Sequence, residues 1–439
     1  MKLLGNIKEK LTKLKKSEKE NQIVESQNDF YKISKGARKM NDQRSYSALS
    51  KEYIDTISNP KEMVLHSIDP VTLVLFVIIT AFAFIVSLSA TNSYADTFYD
   101  NKFYFVFQNV KFLAIGIVFV IGAIYCTKYL RTFAAATLIS YPVTLILLAL
   151  VLLIGTSAGG AKRWLEIGGI SIQPSEIAKT TLVLVLAFFM SAFYDKLTEK
   201  KKKFKNQCIF GFLLPLAIIV PFVLLVYFEK HNSGMIILAA IGFAIMFIGG
   251  SNKSVLVAIM ILGVIGIIGL VTITGHGMDR ITSWLDLLFN PNVEINDSNW
   301  QTTQGLYAIS SGGLFGLGPG QSRLKYGYVS QPQNDFIFPI ICEELGFVGG
   351  AAVVILFFAI FLRMMKLGTN ANNMFVSITI CGLAIKLIIQ VLLNVAVVTA
   401  LIPNTGISLP MFSAGGSAMV IQMLEFGIVL GLSRYCDVK

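Results

Sequence analysis

The sequence predicts an all-α integral membrane protein with about ten transmembrane helices, and three observations lead to this prediction. Hydrophobic residues make up 54% of the 439 residues and charged residues only 14%, whereas a soluble domain carries about 25% charged residues. The mean hydropathy is +0.66. The apolar residues form runs long enough to cross a hydrocarbon core of about 30 Å. A soluble enzyme and a secreted disulfide scaffold are therefore excluded.

Ten apolar runs are expected to be the spans, and most have the roughly 20 residues that a bilayer requires. The fourth and sixth are short, and a large loop separates the seventh from the eighth. The runs cover roughly 71–90, 105–126, 133–155, 176–194, 208–228, 234–250, 254–274, 336–361, 374–398 and 414–433.

Residues 1–62 precede the membrane domain, which we assign to 63–439. They hold 14 basic and 9 acidic residues. Apolar side chains recur at near-helical spacing from Leu3 to Leu14 with lysines between them, which is typical of a basic amphipathic helix on an anionic membrane surface. A solvated, largely disordered tail is an equally good interpretation of most of this stretch.

The basic residues predict the orientation, because cytoplasmic loops of membrane proteins are enriched in Lys and Arg. The tail, the inner connections of a ten-span topology and the C-terminus contain 27 of the 37 basic residues. Both termini are therefore expected in the cytoplasm. The net charge of +11 is a topology signal, and no nucleic-acid partner is expected. The inner basic residues outside the tail include Lys128, Arg131, Lys196, Lys253, Arg363, Lys366 and Arg434.

The outer loops, 156–175, 275–335 and 399–413, are rich in glycine and contain all three tryptophans. A loop of about sixty residues is too long to be a mere connector. Because loops on a rigid scaffold commonly carry function, we expect the chemistry on the outer face.

The first candidate cluster surrounds Arg163 and Trp164 and continues into Gln173-Pro174-Ser175-Glu176 and Lys179. Lys179 lies one helical turn after Glu176, on the same face. Three interpretations remain open: a structural Glu176–Lys179 pair, a lysine whose side chain extends to the membrane interface, or a basic cluster with Arg163 that faces a phosphate group.

The second candidate cluster begins with Asp335, at the entry of the large outer loop into span eight. A partly desolvated carboxylate there can act as a general base, although an aspartate at a helix start is more often an N-cap. Glu343 and Glu344 point about 100° apart, and at least one is expected to bind a basic group. Lys386 and Glu425, inside spans nine and ten, should face the bundle interior. The histidines are too scattered for a metal site by spacing.

Four motifs in a fixed order resemble the SEDS family of bacterial cell-wall polymerases, over roughly residues 68–433. They are Arg163-Trp164 with Gln173-Pro174-Ser175-Glu176-x-x-Lys179; Arg280 to Trp284, with Gln301 and Gln304 and then Gly312 to Gly318; Asn334-Asp335-Phe336-Ile337-Phe338 with Glu343-Glu344-Leu345-Gly346; and Gln390 and Asn394 with Thr405 to Pro410 and Ser413 to Ser417. Ser330-Gln331 in place of Pro-Glu, Ala414 in place of an aromatic residue, and Leu88 in place of a tyrosine depart from the family pattern.

The resemblance implies a peptidoglycan glycosyltransferase that polymerises lipid II into a β-1,4 glycan with inversion. Asp335 would be the general base, and Arg163, Lys179 and Arg280 would bind the diphosphate. Trp164, Glu176, Gln304 and Lys386 would complete the substrate site, while Glu343, Glu344, Gln390 and Asn394 would be structural. Whether a divalent cation such as Mg²⁺ or Mn²⁺ binds at the diphosphate stays an open question. The implied partners are lipid II, the nascent glycan strand, membrane lipids and a class B penicillin-binding protein. The implied location is the bacterial cytoplasmic membrane with the site outside.

The rival interpretation is a lipid II flippase or another carrier of lipid-linked sugars, whose pathway Lys179, Glu343, Lys386 and Glu425 would line. The motifs argue against it, because they concentrate on one face, whereas alternating access needs polar gates on both. A scaffold protein with decayed chemistry is a third interpretation, and the presence of Asp335 and Lys179 argues against it.

Overall fold

The computed structural model describes residues 66–99, 104–158, 161–168, 170–198, 207–261, 263, 278–290, 295, 297–325, 334–413 and 416–437. The expected tail (1–62), most of the lysine-rich inner loop, the second half of predicted span seven and the Ser330-Gln331 and Ala414 departures lie outside these residues.

The described residues are mostly helical, as predicted. The helices are α1 (Pro70–Tyr99), α2 (Tyr104–Thr127), α3 (Leu130–Ile154), α4 (Pro174–Ala192), α5 (Tyr194–Thr198), α6 (Ile209–Phe228, with a π-helical first turn), α7 (Asn232–Ile248), α8 (residues 253–261), α9 (Met278–Phe289), α10 (Asp297–Ser311), α11 (Ile337–Thr369), α12 (Met374–Val398) and α13 (Gly416–Leu432). The strands β1 (Thr156–Ala158), β2 (Ala161–Ile167) and β3 (Ile170–Ile172) lie between α3 and α4.

Eight helices in the described part of the chain are long and apolar enough to cross a membrane: α1, α2, α3, α4, α6, α11, α12 and α13. The shorter α7 coincides with predicted span six, and α8 with the start of span seven. One boundary was wrong: α11 continues to Thr369, so Arg363 and Lys366 lie in a helix and not in a connection. Arg363 pairs there with Asp69, just before α1.

The bundle is built around α4. In its most apolar stretch 89% of the residues are buried, whereas the corresponding share in α2 and α3 is 22%, so these two helices turn most of their apolar surface outward. It packs against α3, α7 and α12. A lysine inside such a central helix needs a partner, since an unpaired buried charge is costly.

The loop between α3 and α4 folds into a small antiparallel sheet, β1–β2–β3, which the sequence analysis did not predict. Leu165 pairs with Ile172, and Glu166 pairs with Ser171. Gly168, at φ +58°, allows the tight turn between β2 and β3. The sheet fixes Arg163 and Trp164 beside the first residues of α4.

A break at Gly346 divides α11. This glycine has φ +70° and ψ −169°. The break leaves two carbonyl groups without helical partners. The Glu343 carbonyl accepts a hydrogen bond from the Leu317 amide (2.9 Å), and the Glu344 carbonyl accepts one from the Gly318 amide (3.0 Å). Main-chain hydrogen bonds thereby join the segment after α10 to the start of α11.

The two adjacent glutamates fasten the same segment with their side chains. Glu343 accepts hydrogen bonds from the Ser322 hydroxyl and from the amides of Arg323 and Leu324. Glu344 accepts from Ser89 (2.6 Å) and forms an ion pair with Lys325 (3.2 Å). The expectation that one of the two glutamates binds a basic group is confirmed for Glu344.

Candidate active site

Three charged side chains from distant parts of the chain come together at one end of the helical bundle. Asp335 lies in the turn before α11 and is half-buried. Arg163 projects from β2 and Arg280 from α9, and the positive charges of both act on the carboxyl group of Asp335. The sequence analysis selected all three residues, and the structure brings them together.

Asp335 is held through its backbone. The Asn394 amide nitrogen donates to the Asp335 carbonyl (3.0 Å) and to the Ile407 carbonyl (2.6 Å). Ser413 donates to the carbonyl of Asn334 (2.7 Å). Gly406, at φ +66°, lies beside the carboxylate, and a Cβ atom there would be 3.1 Å from Oδ2. Within the described residues no side chain or amide donates to this carboxylate, so it stays available for a substrate proton.

The surroundings of Asp335 raise its pKa. Burial is the largest cause and disfavours the charged form, while Arg163 and Arg280 pull the pKa down and Glu176 adds a smaller upward contribution. The result is a pKa of about 6. A carboxylate with this pKa is mostly ionised at neutral pH and is a stronger base than an ordinary aspartate.

The two arginines are oriented by backbone carbonyl groups. Arg163 donates through Nη2 to the carbonyl of Lys230 (2.5 Å), and Arg280 donates through Nη1 to that of Asn404 (3.2 Å). A guanidinium group has five N–H donors. One carbonyl therefore orients each group and leaves most of its donors for an anion.

A cavity of about 250 Å³ lies beside Arg280, between α9, α10 and the loop after α12. Trp284 donates to the Ala400 carbonyl (2.7 Å), and Asn404 donates to Gln301 (3.1 Å), which together tie these walls to one another. The cavity is lined by Arg280, Ser283, Trp284, Leu287, Asn299, Gln301, Thr302 and Asn404.

Trp164 and Gln304, both expected to bind substrate, lie on β2 and α10, and the structure shows no specific role for either. Trp164 is half-buried on β2, next to Arg163. Gln304 is half-buried on α10, one turn after Gln301. Neither lines the cavity, so both stay predictions.

The expected lysine contacts lie inside the bundle instead. Lys179 pairs with Glu176 at 2.7 Å. Lys386 binds both carboxylate oxygens of Glu425, at 2.6 and 2.7 Å, and Thr180 also donates to that carboxylate. Both lysine side chains are 3% exposed or less. Each ammonium group thus already has a carboxylate partner.

Gln390 lies one turn after Lys386 on α12, and Asn394 one turn further. Both are buried, as expected of structural polar residues. The amide nitrogen of Asn394 positions Asp335, as described above. The Oε1 atom of Gln390 has no partner in the described part of the chain.

The sequence analysis missed the turn between α6 and α7. Glu229 is 1% exposed, and burial, partly offset by Arg163, raises its pKa to about 8. His231 is also buried and contacts the Ser175 hydroxyl at 3.2 Å through Nδ1; burial, then the nearby positive charges of Arg163 and Lys179, lower its pKa to about 3. The available signal was an acid and a histidine together at a membrane boundary.

The described residues contain no group of three or more His, Cys, Asp or Glu side chains arranged to hold a metal ion. The described side chains that come together here do not by themselves make a cation site.

We compared the sequence and the structure of this chain with those of known proteins. The family model for FtsW, RodA and SpoVE, described as cell cycle protein, matches residues 70–437. Stage V sporulation protein E of Bacillus subtilis is 34% identical over 370 residues, which cover 82% of this chain and 96% of the relative. The probable peptidoglycan glycosyltransferase FtsW of Geobacter sp. (strain M18) is 30% identical over 366 residues, covering 83% and 96%.

Two solved structures have a similar fold. The crystal structure of the rod shape determining protein RodA of Thermus thermophilus superposes with a TM-score of 0.60 at 24% identity, covering 85% of this chain and 98% of RodA. A chain of a peptidoglycan synthase complex, described as coordinating polymerization and crosslinking, gives a TM-score of 0.66 at 22% identity and covers 85% and 99%. The chain is a multi-pass membrane protein, and it belongs to the FtsW, RodA and SpoVE family.

Proposed function

We propose that this protein is a peptidoglycan glycosyltransferase that polymerises lipid II. The observation that carries the proposal is the convergence of one available carboxylate, Asp335, with the guanidinium groups of Arg163 and Arg280. The name of the Geobacter relative, probable peptidoglycan glycosyltransferase, supports the same activity.

In the proposed reaction, Asp335 takes the proton from the acceptor sugar hydroxyl, and the resulting oxygen attacks the anomeric carbon of the donor. The bond to the diphosphate breaks, and its electrons leave with the polyprenyl diphosphate. Glycosidases protonate their leaving oxygen with a second carboxylic acid, but a diphosphate needs only charge neutralisation. Arg163 and Arg280 supply this positive charge, since one guanidinium group can donate two parallel hydrogen bonds to phosphate oxygens. Displacement from the opposite face gives inversion and a β-1,4 linkage.

The buried pairs Glu176–Lys179 and Lys386–Glu425 have a supporting role in this proposal. Their charges are satisfied within the bundle, so we assign neither pair to direct contact with substrate. The Lys386–Glu425 pair joins α12 to α13 and, through Thr180, to α4. The cavity beside Arg280 is smaller than the about 300–1,000 Å³ of pockets for drug-sized ligands. We infer that it holds one sugar-sized part of the substrate.

We infer that the site faces the outside of the bacterial cytoplasmic membrane and that the protein works with a class B penicillin-binding protein. The first inference rests on the concentration of basic residues in the other loops. The second is supported by the similar chain from a synthase complex that coordinates polymerization and crosslinking.

Polymerisation by purified protein tests the proposed function. Wild-type protein with labelled lipid II should give long glycan, and Asp335→Asn should reduce the rate by about 10²–10⁴-fold, the usual contribution of a general base. Asp286→Asn, an exposed acid on α9, is the matched control and should retain the wild-type rate. Equal glycan from wild type and Asp335→Asn would remove Asp335 from the role of base. Lipid II translocation without polymer would favour the flippase.

A further inference from the structure

Glu229 is a buried carboxyl group that the proposed reaction does not use. It ends α6 on the side of the site, and neither of its oxygens has a hydrogen-bond partner in the described residues. Burying a carboxyl group without partners is costly. A role that depends on this group being unpaired would explain its presence.

Arg163 is the charged group that acts on the pKa of Glu229. Its Nη2 atom binds the carbonyl of Lys230, the residue after Glu229, while its Nε atom is buried and without a partner in the described residues. Lys230 itself has φ +57°, an uncommon conformation for a residue with a side chain. The guanidinium and the carboxyl group are thus held at the same turn without being joined to each other.

The other groups packed around this turn do not neutralise Glu229. From α4, Ser175 binds His231, and Glu176 pairs with Lys179. From α7, Ser233 binds the Thr405 carbonyl, and the Thr405 hydroxyl has no partner within the described chain. Arg163 is therefore the cation that an ionised Glu229 would use.

The guanidinium group of Arg163 also interacts electrostatically with the carboxylate of Asp335. A protonated Glu229 leaves Arg163 positive and available to an incoming anion. An ionised Glu229 would compete with that anion for Arg163, because two negative groups close to one cation repel each other. Binding of an anion at Arg163 and ionisation of Glu229 therefore oppose each other.

We propose that Glu229 is a positioning residue that controls how strongly Arg163 holds the donor diphosphate, with the protonated acid permitting binding and the carboxylate opposing it. This inference rests on the proposed function, because it takes the anion at Arg163 to be the diphosphate of the lipid-linked substrate and product.

The test measures binding of undecaprenyl diphosphate to the full-length protein in detergent between pH 7.5 and 9. Wild-type affinity should fall about tenfold over this range, because the Glu229 carboxyl has a pKa of about 8 and its ionised form opposes binding. Glu229→Gln keeps the shape of the protonated acid, so its affinity should equal that of wild type at pH 7.5 and change little up to pH 9. Glu166→Gln, an exposed acid on β2, should behave as wild type throughout.

Arg163→Gln provides a second variant. It should bind weakly at pH 7.5 and show no further loss at pH 9, which keeps the test decisive if Glu229→Gln fails to fold. Equal pH dependence in wild type and Glu229→Gln, or a flat wild-type profile, would overturn the inference. Diphosphate binding with the expected profile, but with no glycan made from lipid II by any variant, would instead overturn the proposed function and leave the binding role intact.

Discussion

At the level of single residues, the property that matters most is how Asp335 is held. Asn394 donates to the backbone carbonyl of Asp335, and Ser413 donates to that of Asn334. The carboxylate is thereby fixed in place without losing an oxygen to a structural hydrogen bond. A base must be both positioned and available, and this arrangement satisfies both requirements.

We expect the polymerisation rate to depend on the ionisation of Asp335. Burial raises the pKa of this group from 3.8 to about 6. The base is active when ionised, so turnover should be constant above about pH 7 and fall about tenfold per pH unit below about pH 5.5. Turnover at saturating lipid II between pH 5 and 8 measures this. The residual rate of Asp335→Asn should lack the acid limb, and an identical limb in that variant would assign it to another group.

Gly406 offers a second test of the same carboxylate. Replacing it by alanine places a methyl group 3.1 Å from Oδ2 of Asp335 and strains a backbone at φ +66°. We expect Gly406→Ala to fold and to lose at least about tenfold in polymerisation rate, because small displacements of a catalytic group are costly. Gly168→Ala is the matched control: it has φ +58° and no atom within 4 Å of the added methyl group. Equal losses in both variants would show that backbone strain alone is responsible.

The sequence could indicate some of these residues and not others. Asp335 stands out because it lies where a long loop enters an apolar run, and Glu176–Lys179 because residues three apart share a helical face. Glu229 gives only a weak signal, because an acid close to a histidine at the end of a span does not by itself indicate a site. Its importance depends on Arg163, which reaches the same turn from 66 residues earlier in the chain, and no local pattern encodes that contact.

At the level of elements, hydropathy predicts the spans well because the bilayer fixes their length. Predicted span nine, 374–398, coincides with α12. The β1–β3 sheet was not predicted, because its strands have only three to seven residues. The break at Gly346 was missed for a different reason: a lone glycine is tolerated inside a transmembrane helix, and only the partner segment around Gly313–Gly318 makes the break favourable.

The Lys386–Glu425 pair tests whether the polar groups inside the bundle are structural. Removing one partner of a buried ion pair costs about 3–5 kcal/mol, because the other charge is left uncompensated. We expect Lys386→Met to lower the thermal unfolding temperature strongly and Lys386→Met with Glu425→Gln to restore much of the loss. Unfolding of the purified proteins in detergent measures both.

The double variant also distinguishes a structural role of Lys386 from a role in substrate binding. If Lys386 is purely structural, the stabilised double variant should polymerise lipid II with the wild-type KM. A KM raised tenfold or more in a stable double variant would return Lys386 to the substrate site, where the sequence analysis placed it.

At the level of the whole molecule, the two ends of the described chain meet away from the site. The amide of His66 donates to the carbonyl of Arg434 (2.8 Å), and the His66 side chain contacts Asp437 (2.6 Å). Asp69 binds Arg363 at the same end. The sheet, α9 and the turn before α11 surround Asp335 at the other end of the spans. One end of the bundle thus carries the two ends of the described chain, and the other carries the candidate chemistry.

The orientation of this bundle in the membrane can be tested by cysteine labelling. Lipid-linked sugars can be joined outside the cell only if the end that carries Asp335 faces outward, as the distribution of Lys and Arg indicates. In a variant without the five native cysteines, Glu166→Cys on β2 should react with a membrane-impermeant maleimide in intact spheroplasts. Thr369→Cys, at the opposite end of α11, should react only after lysis. Both positions are exposed, so accessibility within the protein does not distinguish them. The reverse pattern would place Asp335 in the cytoplasm, where no extracellular glycan strand reaches it, and polymerisation outside the cell would then be impossible for this site.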